Sequence, residues 1–450
     1  MFSLVFVPLV GLVWAEKSWW VVAWGFQLSV VLVVLGSFMG MGVPECSFGE
    51  VFCCDEISYG FIWLSIFVAG LSLLGSNDTL KVGDSSQMFL IVVVGLLLTL
   101  CVCFAAGSLF LFYVFFEFSL IPTLVVICGW GYQPERLRAG KYMMLYTVGA
   151  SLPLLAFILF AFYAHGSASF VLLYAVRGVF HCGSVMFMGS ILAFLVKSPM
   201  YGVHGWLPKA HVEAPVAGSM FLAGVLLKLG GYGLTRFIGL LNLSNSVVYS
   251  CVVCLCIFGG VMASVVCCVQ VDAKSLVAYS SVGHMSLVLG GLMSGSFWGL
   301  GGSYFLMIAH GLSSSGMFYL VSELYKAYSS RMLFVIRGGI GNLFGLNLWL
   351  AFMCGFNAAA PPSLSLFSEI ILCISIVSYS LWFSVLVGAL GFLSCLYSWS
   401  LYCSTQMGNY PIWAYSSKGV SDFHILGVVC SSISFCLVGL SFCSGIGKFS

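Results

Sequence analysis

The chain has 450 residues, of which 61% are hydrophobic and 7% are charged, and its formal net charge is +2. A soluble domain carries roughly 25% charged residues, so this composition excludes a water-soluble globular protein. The small net charge gives no sign of a nucleic-acid partner, and we expect none.

Long apolar segments alternate with short polar ones along the whole chain. In lipid only helical bundles and closed β-barrels satisfy every backbone polar group, and the period-2 pattern of a barrel is missing here. The sequence therefore predicts an all-α polytopic membrane protein with about fourteen transmembrane helices. In chain order these spans lie near 2–15, 19–42, 57–75, 87–105, 107–128, 141–163, 178–200, 215–238, 247–268, 275–293, 298–322, 340–375, 382–403 and 424–443.

Two of these spans contain a proline break, at Lys197-Ser198-Pro199 and at Ala360-Pro361-Pro362-Ser363. The breaks are five spans apart, which predicts two inverted five-helix repeats, each with a discontinuous helix, around a transport pathway. The alternative is a coincidence of ordinary proline kinks. The predicted organisation is N-terminal helices over 1–86, a first repeat over 87–238, a second repeat over 247–403 and a C-terminal helix over 404–450.

Basic residues are distributed unevenly among the predicted loops. Loops after odd-numbered spans hold eleven Lys and Arg residues, whereas even-numbered loops and the C-terminal tail hold three. The positive-inside rule then predicts that odd loops face the cytoplasm or matrix and that both termini face the opposite side.

Apart from Lys141 and Arg236, which lie at span ends and were counted with the loops, four charged residues lie within the predicted spans: Glu117, Lys197, Lys228 and Glu369. Each costs roughly 2.5–3.5 kcal/mol near the centre of a membrane helix, so function is the default explanation. His284 and His310 add two titratable groups in neighbouring spans. Glutamate, lysine and histidine in series are what a proton relay needs, because each charge alters the proton affinity of the next. The alternative is a set of ion pairs that only lock helices together.

His204 follows the Pro199 break and is predicted to connect solvent to Lys197. It lies in the stretch HGWLPKAHVEAP, which is equally consistent with a capped, solvated loop. The sequence contains no zinc, P-loop or dinucleotide-binding motif, so we expect no metal and no cofactor on this chain.

Five sequence blocks between about residues 90 and 375 stand out together and in this order: FEFSLIPTLVVICGWGYQPERLRAGKYMMLYTVGASLPLL, VKSPMYGVHGWLPKAHVEAPVAGSMFLAGVLLKLGGYGLTR, AYSSVGHMSLVLGG, MIAHGLSSSGMFYL and AAPPSLSLFSEIIL. These blocks resemble chain 4 of the mitochondrial NADH:ubiquinone oxidoreductase, respiratory complex I. The first 85 and the last 50 residues match it only in hydropathy.

The resemblance implies a proton-translocating subunit of the mitochondrial inner membrane, driven by redox chemistry on other subunits. It places the family's glutamate–lysine pair on Glu117 and Lys197 and its central lysine on Lys228. The linking histidines fall on His284 and His310, and the exit-side acid falls on Glu369.

NAD, FMN, iron–sulfur clusters and ubiquinone are then expected on other subunits. The expected partners are other membrane-arm subunits, including neighbouring antiporter-like chains, and membrane lipids. Two further functions remain open at this point: a subunit of a multi-subunit cation/proton antiporter, and a structural membrane spacer with charge-locked helices.

Overall fold

The computed structural model describes residues 46–48, 51–76, 85–175, 184–240, 247–339 and 344–409. The predicted spans near 2–15, 19–42 and 424–443 lie outside these residues. The chain divides into two compact units, Met1–Phe194 with Glu213–Asn242, and Leu195–Val212 with Leu243–Ser450.

The first unit combines a short β-hairpin with long helices. The hairpin pairs β1 (Cys46–Phe48) with β2 (Phe52–Cys54) in antiparallel register. The helices are α1 (Glu56–Gly75), α2 (Ser85–Phe104), α3 (Leu109–Phe118), α4 (Leu120–Trp130), α5 (Arg136–His165), α6 (Phe170–Ala175), the start of α7 (Ser184–Lys197), α9 (Val216–Phe221), a π-helical turn (Leu222–Leu226) and α10 (Leu227–Ile238).

The second unit contains the end of α7 and all of the later helices. They are α8 (Trp206–Glu213, up to Val212), α11 (Val247–Cys268), α12 (Ala273–Met293), α13 (Phe297–Tyr328), α14 (Phe344–Asn357), α15 (Leu364–Tyr379) and α16 (Phe383–Gln406). Helix α12 packs against α11, α13, α15 and α16, and is therefore the central helix of this unit.

Within the described residues, nine helical segments are long and apolar enough to cross a membrane. Each overlaps one of the predicted spans, so the chain is a multi-pass helical membrane protein. The segments are Glu56–Gly75, Ser86–Phe104, Leu109–Trp130, Arg136–His165, Val216–Ile238, Val248–Cys268, Ala273–Met293, Phe297–Tyr328 and Phe383–Gln406.

The two predicted proline breaks are real interruptions of helical structure. Helix α7 ends at Lys197, and the next helix begins at Trp206, whose indole Nε1 donates a hydrogen bond to the carbonyl oxygen of Val196 at 3.1 Å. Helix α14 ends at Asn357, and Ser363 caps α15 by accepting a bond from the backbone N–H of Leu366. Proline explains both breaks, because it removes a helix donor and clashes with the preceding turn.

Serine hydroxyls inside the helices bond to their own backbone. Ser65, Ser190 and Ser286 each donate to the carbonyl oxygen three residues earlier, at 2.7, 2.7 and 2.6 Å. An unsatisfied hydroxyl in hydrocarbon costs several kcal/mol, so this local bond lets serine occupy a membrane helix.

Gly233 allows α10 to approach α7 closely in the first unit. A Cβ atom there would lie 2.2 Å from Cε1 of Phe194. The Phe194 ring has no room to move, because it is fully buried against Phe112, Phe116 and Phe237. The glycine is therefore required by packing.

We expect Gly233→Ala to destabilise the protein by about 1–3 kcal/mol, because the added methyl overpacks the interface. The check is the thermal stability and yield of the assembled complex. Gly149→Ala is the matched control, since a Cβ at Gly149 meets nothing within 4 Å. Equal stability of the two variants would contradict the packing argument.

Candidate functional site

Three of the predicted relay residues meet near the middle of the second unit. His284 on α12 lies with its Nδ1 atom 3.3 Å from Oε1 of Glu369 on α15. Its ring centroid is 5.4 Å from that of His310 on α13. The two histidines are each 3% exposed, and the Glu369 side chain is 13% exposed. The structure therefore joins these groups in a buried cluster centred on His284.

Tyr397 on α16 completes this cluster, and sequence reasoning missed it. Its hydroxyl lies 3.2 Å from Nε2 of His284, and the side chain is 1% exposed. Both ring nitrogens of His284 thus have a polar neighbour, the carboxylate of Glu369 on one side and a phenol on the other. The sequence offered no distinguishing signal, because the same span holds other hydroxyl-bearing residues such as Ser398 and Tyr402.

The spatial order differs from the order along the chain. A linear reading passes from His284 to His310 and then to Glu369, whereas the structure puts His284 in direct contact with Glu369. The reason is that α12 packs against both α13 and α15. His284 is therefore the junction of the cluster.

Ser313, Ser314 and Ser315 follow His310 on α13, all buried. Their hydroxyls donate to the carbonyl oxygens of His310, Gly311 and Leu312 at 3.4, 3.5 and 3.0 Å. A hydroxyl that donates to its own helix still offers lone pairs as acceptors.

Lys228 lies in the first unit, at the start of α10, and its side chain is 0% exposed. Its Nζ atom donates a hydrogen bond to the carbonyl oxygen of Ala223. Ala223 belongs to the π-helical turn, a geometry that is often found at functional sites. Gly224 in the same turn faces Val68 of α1, where an added Cβ would lie 3.0 Å from both methyl groups. The lysine is thus held in a closely packed, apolar part of the unit.

Glu117 and Lys197 lie in different compact units. Glu117 is partly buried near the end of α3, next to the junction with α4 at Ser119. Lys197 is the last residue of α7 and is 2% exposed. Their pairing stays a prediction.

His204 lies between α7 and α8, stacked on Tyr201 at 4.9 Å, with its edge toward Tyr279 at 5.9 Å. Its Nδ1 atom accepts a hydrogen bond from the backbone N–H of Gly202. Burial lowers the pKa of His204 below its ordinary value. The neutral ring, with its proton on Nε2, is therefore the stable form near neutral pH.

The stretch after His204 is helical, and the solvated-loop reading is wrong for two of its residues. His211 is 0% exposed and stacks on Phe318 with the ring centroids 4.6 Å apart. Glu213 is 5% exposed, whereas Lys209 is exposed. Because the stretch is helical, His211 lies on a different face from Lys209, which the polar composition of the stretch concealed.

The basic residues counted in the predicted loops included Lys274 and Arg236, and both lie in helices. Lys274 is in the first turn of α12 and is 5% exposed, and Arg236 is in the last turn of α10. The predicted span near 275–293 begins just inside the observed start of α12 at Ala273, and helix ends are the least reliable part of such a prediction. The predicted span near 215–238 already contained Arg236 and ends with α10 at Ile238, so there the error lay in counting Arg236 as a loop residue. Within the described ranges, no three His, Cys, Asp or Glu side chains converge as a metal site.

Most of the chain matches known protein families and a solved structure. Residues 106–396 match the family model described as NADH:quinone oxidoreductase/Mrp antiporter, TM. Residues 1–103 match the model for the amino terminus of NADH-ubiquinone oxidoreductase chain 4. The latter match corrects the expectation that the first 85 residues share only hydropathy with that family.

Among solved structures, a chain of respiratory complex I from Thermus thermophilus with bound NADH superposes with a TM-score of 0.84 at 24% identity, over 99% of this chain and 96% of that one. At that identity the match shows the fold, which is the antiporter-like membrane fold.

Relatives named NADH-ubiquinone oxidoreductase chain 4 are close in sequence. That of Ceratitis capitata is 45% identical, over 83% of each chain. That of Aedes aegypti is 44% identical, over 88% of this chain and 89% of its own, and that of Locusta migratoria is 41% identical over 95% of each. With its fold, its amino-terminal match and these relatives, the chain belongs to the family of NADH-ubiquinone oxidoreductase chain 4.

Proposed function

We propose that this chain translocates protons as a membrane subunit of NADH:ubiquinone oxidoreductase in the mitochondrial inner membrane, and that buried Glu, Lys and His side chains carry them. Family membership supports the first part, and the mitochondrial location follows from its eukaryotic relatives. NAD, FMN, iron–sulfur clusters and ubiquinone are assigned to other subunits of the complex. Neighbouring membrane-arm chains and lipids are its partners.

The contacts of His284 carry the proposal for the relay. Imidazole can accept a proton on one nitrogen and release the proton of the other, and Glu369 and Tyr397 face these two atoms. A proton on either histidine acts on the other over 5.4 Å, which is worth roughly 3 kcal/mol at an effective dielectric of about 20. That coupling is large enough to move a proton along the cluster.

In this relay His204 takes up protons on the matrix side and passes them to Lys197, with Glu117 tuning the charge of that lysine. Lys228 holds the proton of the first unit. His310 and His284 then lead to Glu369, the exit toward the intermembrane space. The charged amine of Lys228 in apolar surroundings is costly, so a modest change in nearby charge switches its protonation.

The two interrupted helices support an arrangement of fourteen helices with two inverted five-helix repeats, over 87–238 and 247–403. Residues 1–86 and 404–450 are then the flanking helices. The positive-inside asymmetry supports both termini facing the intermembrane space.

The alternatives are a structural spacer and a cation/proton antiporter subunit. The match of residues 1–103 to a chain 4 model favours the oxidoreductase. A structural spacer needs the same charges only to lock helices together. A variant that assembles but does not pump would therefore favour proton translocation over the spacer.

We expect His284→Gln to lower NADH-driven proton pumping by about tenfold, because glutamine has no titratable group. The proton-to-electron ratio of the assembled complex in vesicles, measured with a pH-sensitive dye, checks this. His165→Gln, at the C-terminal end of α5, is the control. If pumping by His284→Gln fell only in proportion to the amount of assembled complex, the spacer would be the better description.

A further inference from the structure

Lys228, Tyr232 and Arg236 lie at intervals of four residues on α10. Residues four apart share a helix face, so these side chains form a polar stripe along the first unit. Eight residues of helix span about 12 Å. The stripe leads from the buried lysine to the end of the unit where Asp55 lies.

The first part of this stripe is filled with aromatic rings. Tyr232 makes edge contacts with Phe61 and Phe104, with ring centroids 5.7 and 5.1 Å apart, and its ring lies 6.0 Å from that of Phe112. All four side chains are at most 1% exposed. Such a layer leaves no polar surface for a file of water, apart from the Tyr232 hydroxyl.

The outer part of the stripe is an ion pair. The guanidinium of Arg236 donates to the carboxylate of Asp55, and its Nε donates to the Tyr232 hydroxyl at 3.1 Å. Asp55 directly follows β2, and the backbone N–H of Cys53 in that strand bonds to the carbonyl oxygen of Ala105. The hairpin thus holds the carboxylate of Asp55 against the guanidinium of Arg236, whose side chain is 12% exposed.

The direction of these hydrogen bonds opposes proton transfer. Arg236 donates to Tyr232, and Tyr232 donates at 2.8 Å to the backbone carbonyl oxygen of Phe104. Arginine does not give up its proton in proteins, and a backbone carbonyl does not hold one. A positive charge at the end of a pore also repels an approaching proton.

We propose that Arg236, paired with Asp55 and backed by the aromatic layer of Phe61, Phe104, Phe112 and Tyr232, seals the Asp55 end of the first unit against protons. The seal keeps a proton held at Lys228 from leaking out along α10. The inference rests on the proposed role of Lys228 as a proton carrier.

The test is the passive proton leak of the assembled complex in vesicles, measured without NADH under a potassium diffusion potential. We expect Arg236→Gln to raise the leak by about tenfold, the effect of removing one charge at about 10 Å in an effective dielectric of about 20. NADH oxidation continues while the proton-to-electron ratio falls. Arg236→Lys keeps the cation but, unlike arginine, can release its proton, so we expect a smaller rise in leak than in Arg236→Gln; it is the second variant to measure if the glutamine variant assembles poorly.

Asp55→Asn separates a cationic barrier from a mechanical lock, since it breaks the ion pair but leaves the cation. We expect the proton leak of Asp55→Asn to stay as low as that of the unchanged complex. The control is Lys326→Met, which breaks an ion pair with Glu323 in the second unit and should leave the leak equally low. A tight Arg236→Gln complex, or an equal leak in Asp55→Asn, overturns the seal. Normal pumping by a Lys228 variant would instead overturn the proposed function, so the two failures are distinct.

Discussion

Replacing Lys228 with methionine is expected to lower NADH-driven proton pumping by about tenfold or more, while the complex still assembles. Methionine is flexible and apolar, so it fills the space of a side chain that is 0% exposed without leaving a buried charge. What is lost is the amine that holds and releases a proton, a contribution of roughly 10²–10⁴-fold in proton-transfer steps. The measurement is the proton-to-electron ratio together with coupled turnover.

Lys228→Arg sharpens this test, because it keeps a cation that does not release its proton. A proton carrier fails in both variants, whereas a helix lock that needs only charge is rescued by arginine. Lys326→Met is the matched control, since Lys326 is a partly exposed lysine with its Nζ 2.7 Å from Glu323. Full pumping by the arginine variant would rule out a carrier role for Lys228.

Glu369→Gln is expected to abolish most pumping, because it removes the carboxylate that we propose as the exit of the relay. The amide keeps the size and a hydrogen-bonding oxygen near Nδ1 of His284, so the packing of α12 against α15 is preserved. The anion that stabilises a protonated His284 is gone, an interaction worth about 4 kcal/mol at 4 Å and an effective dielectric of about 20. A proton that reaches the histidines then has no acceptor.

The decisive measurement for Glu369 is pumping per electron in assembled complex, with Glu323→Gln as the matched control. Glu323 is a buried glutamate of the same unit whose described partner is a lysine one turn away. Glu369→Asp retains the carboxylate on a shorter arm, so we expect partial pumping. The exit role is refuted when the glutamine variant pumps as many protons per electron as the unchanged protein.

Prediction from the sequence succeeded where hydrocarbon constrains every residue. Within the part of the chain that the structure describes, nine predicted spans coincide with helices long and apolar enough to cross a membrane, because an apolar run in lipid has to satisfy its backbone within the helix. The breaks near Pro199 and Pro361 are also confirmed. Proline lacks the backbone N–H that a helix needs, so the sequence itself shows where each helix is interrupted. Helix ends were predicted less exactly, as Lys274 illustrates: it lies inside α12 but just before the predicted span near 275–293, because hydropathy changes gradually at the headgroups.

Only part of the candidate site could be predicted from the sequence. Charge inside a span identified Lys228 and Glu369, because such a residue is expensive wherever it points. The burial of His211, which lies outside the proposed relay, was missed because a histidine in a polar stretch has no cost that the sequence reveals. Tyr397 was missed, because tyrosine is common in membrane proteins and only its neighbours give it a role.

The sequence by itself determined that this is a multi-pass helical membrane protein with titratable groups inside its spans, since both follow from the free energy of placing each residue in lipid. Only the tertiary structure decided that His284 joins Glu369, His310 and Tyr397, and that Arg236 faces Asp55 across 181 positions of chain. These contacts depend on which helix faces meet, and that is set by side-chain packing between distant segments.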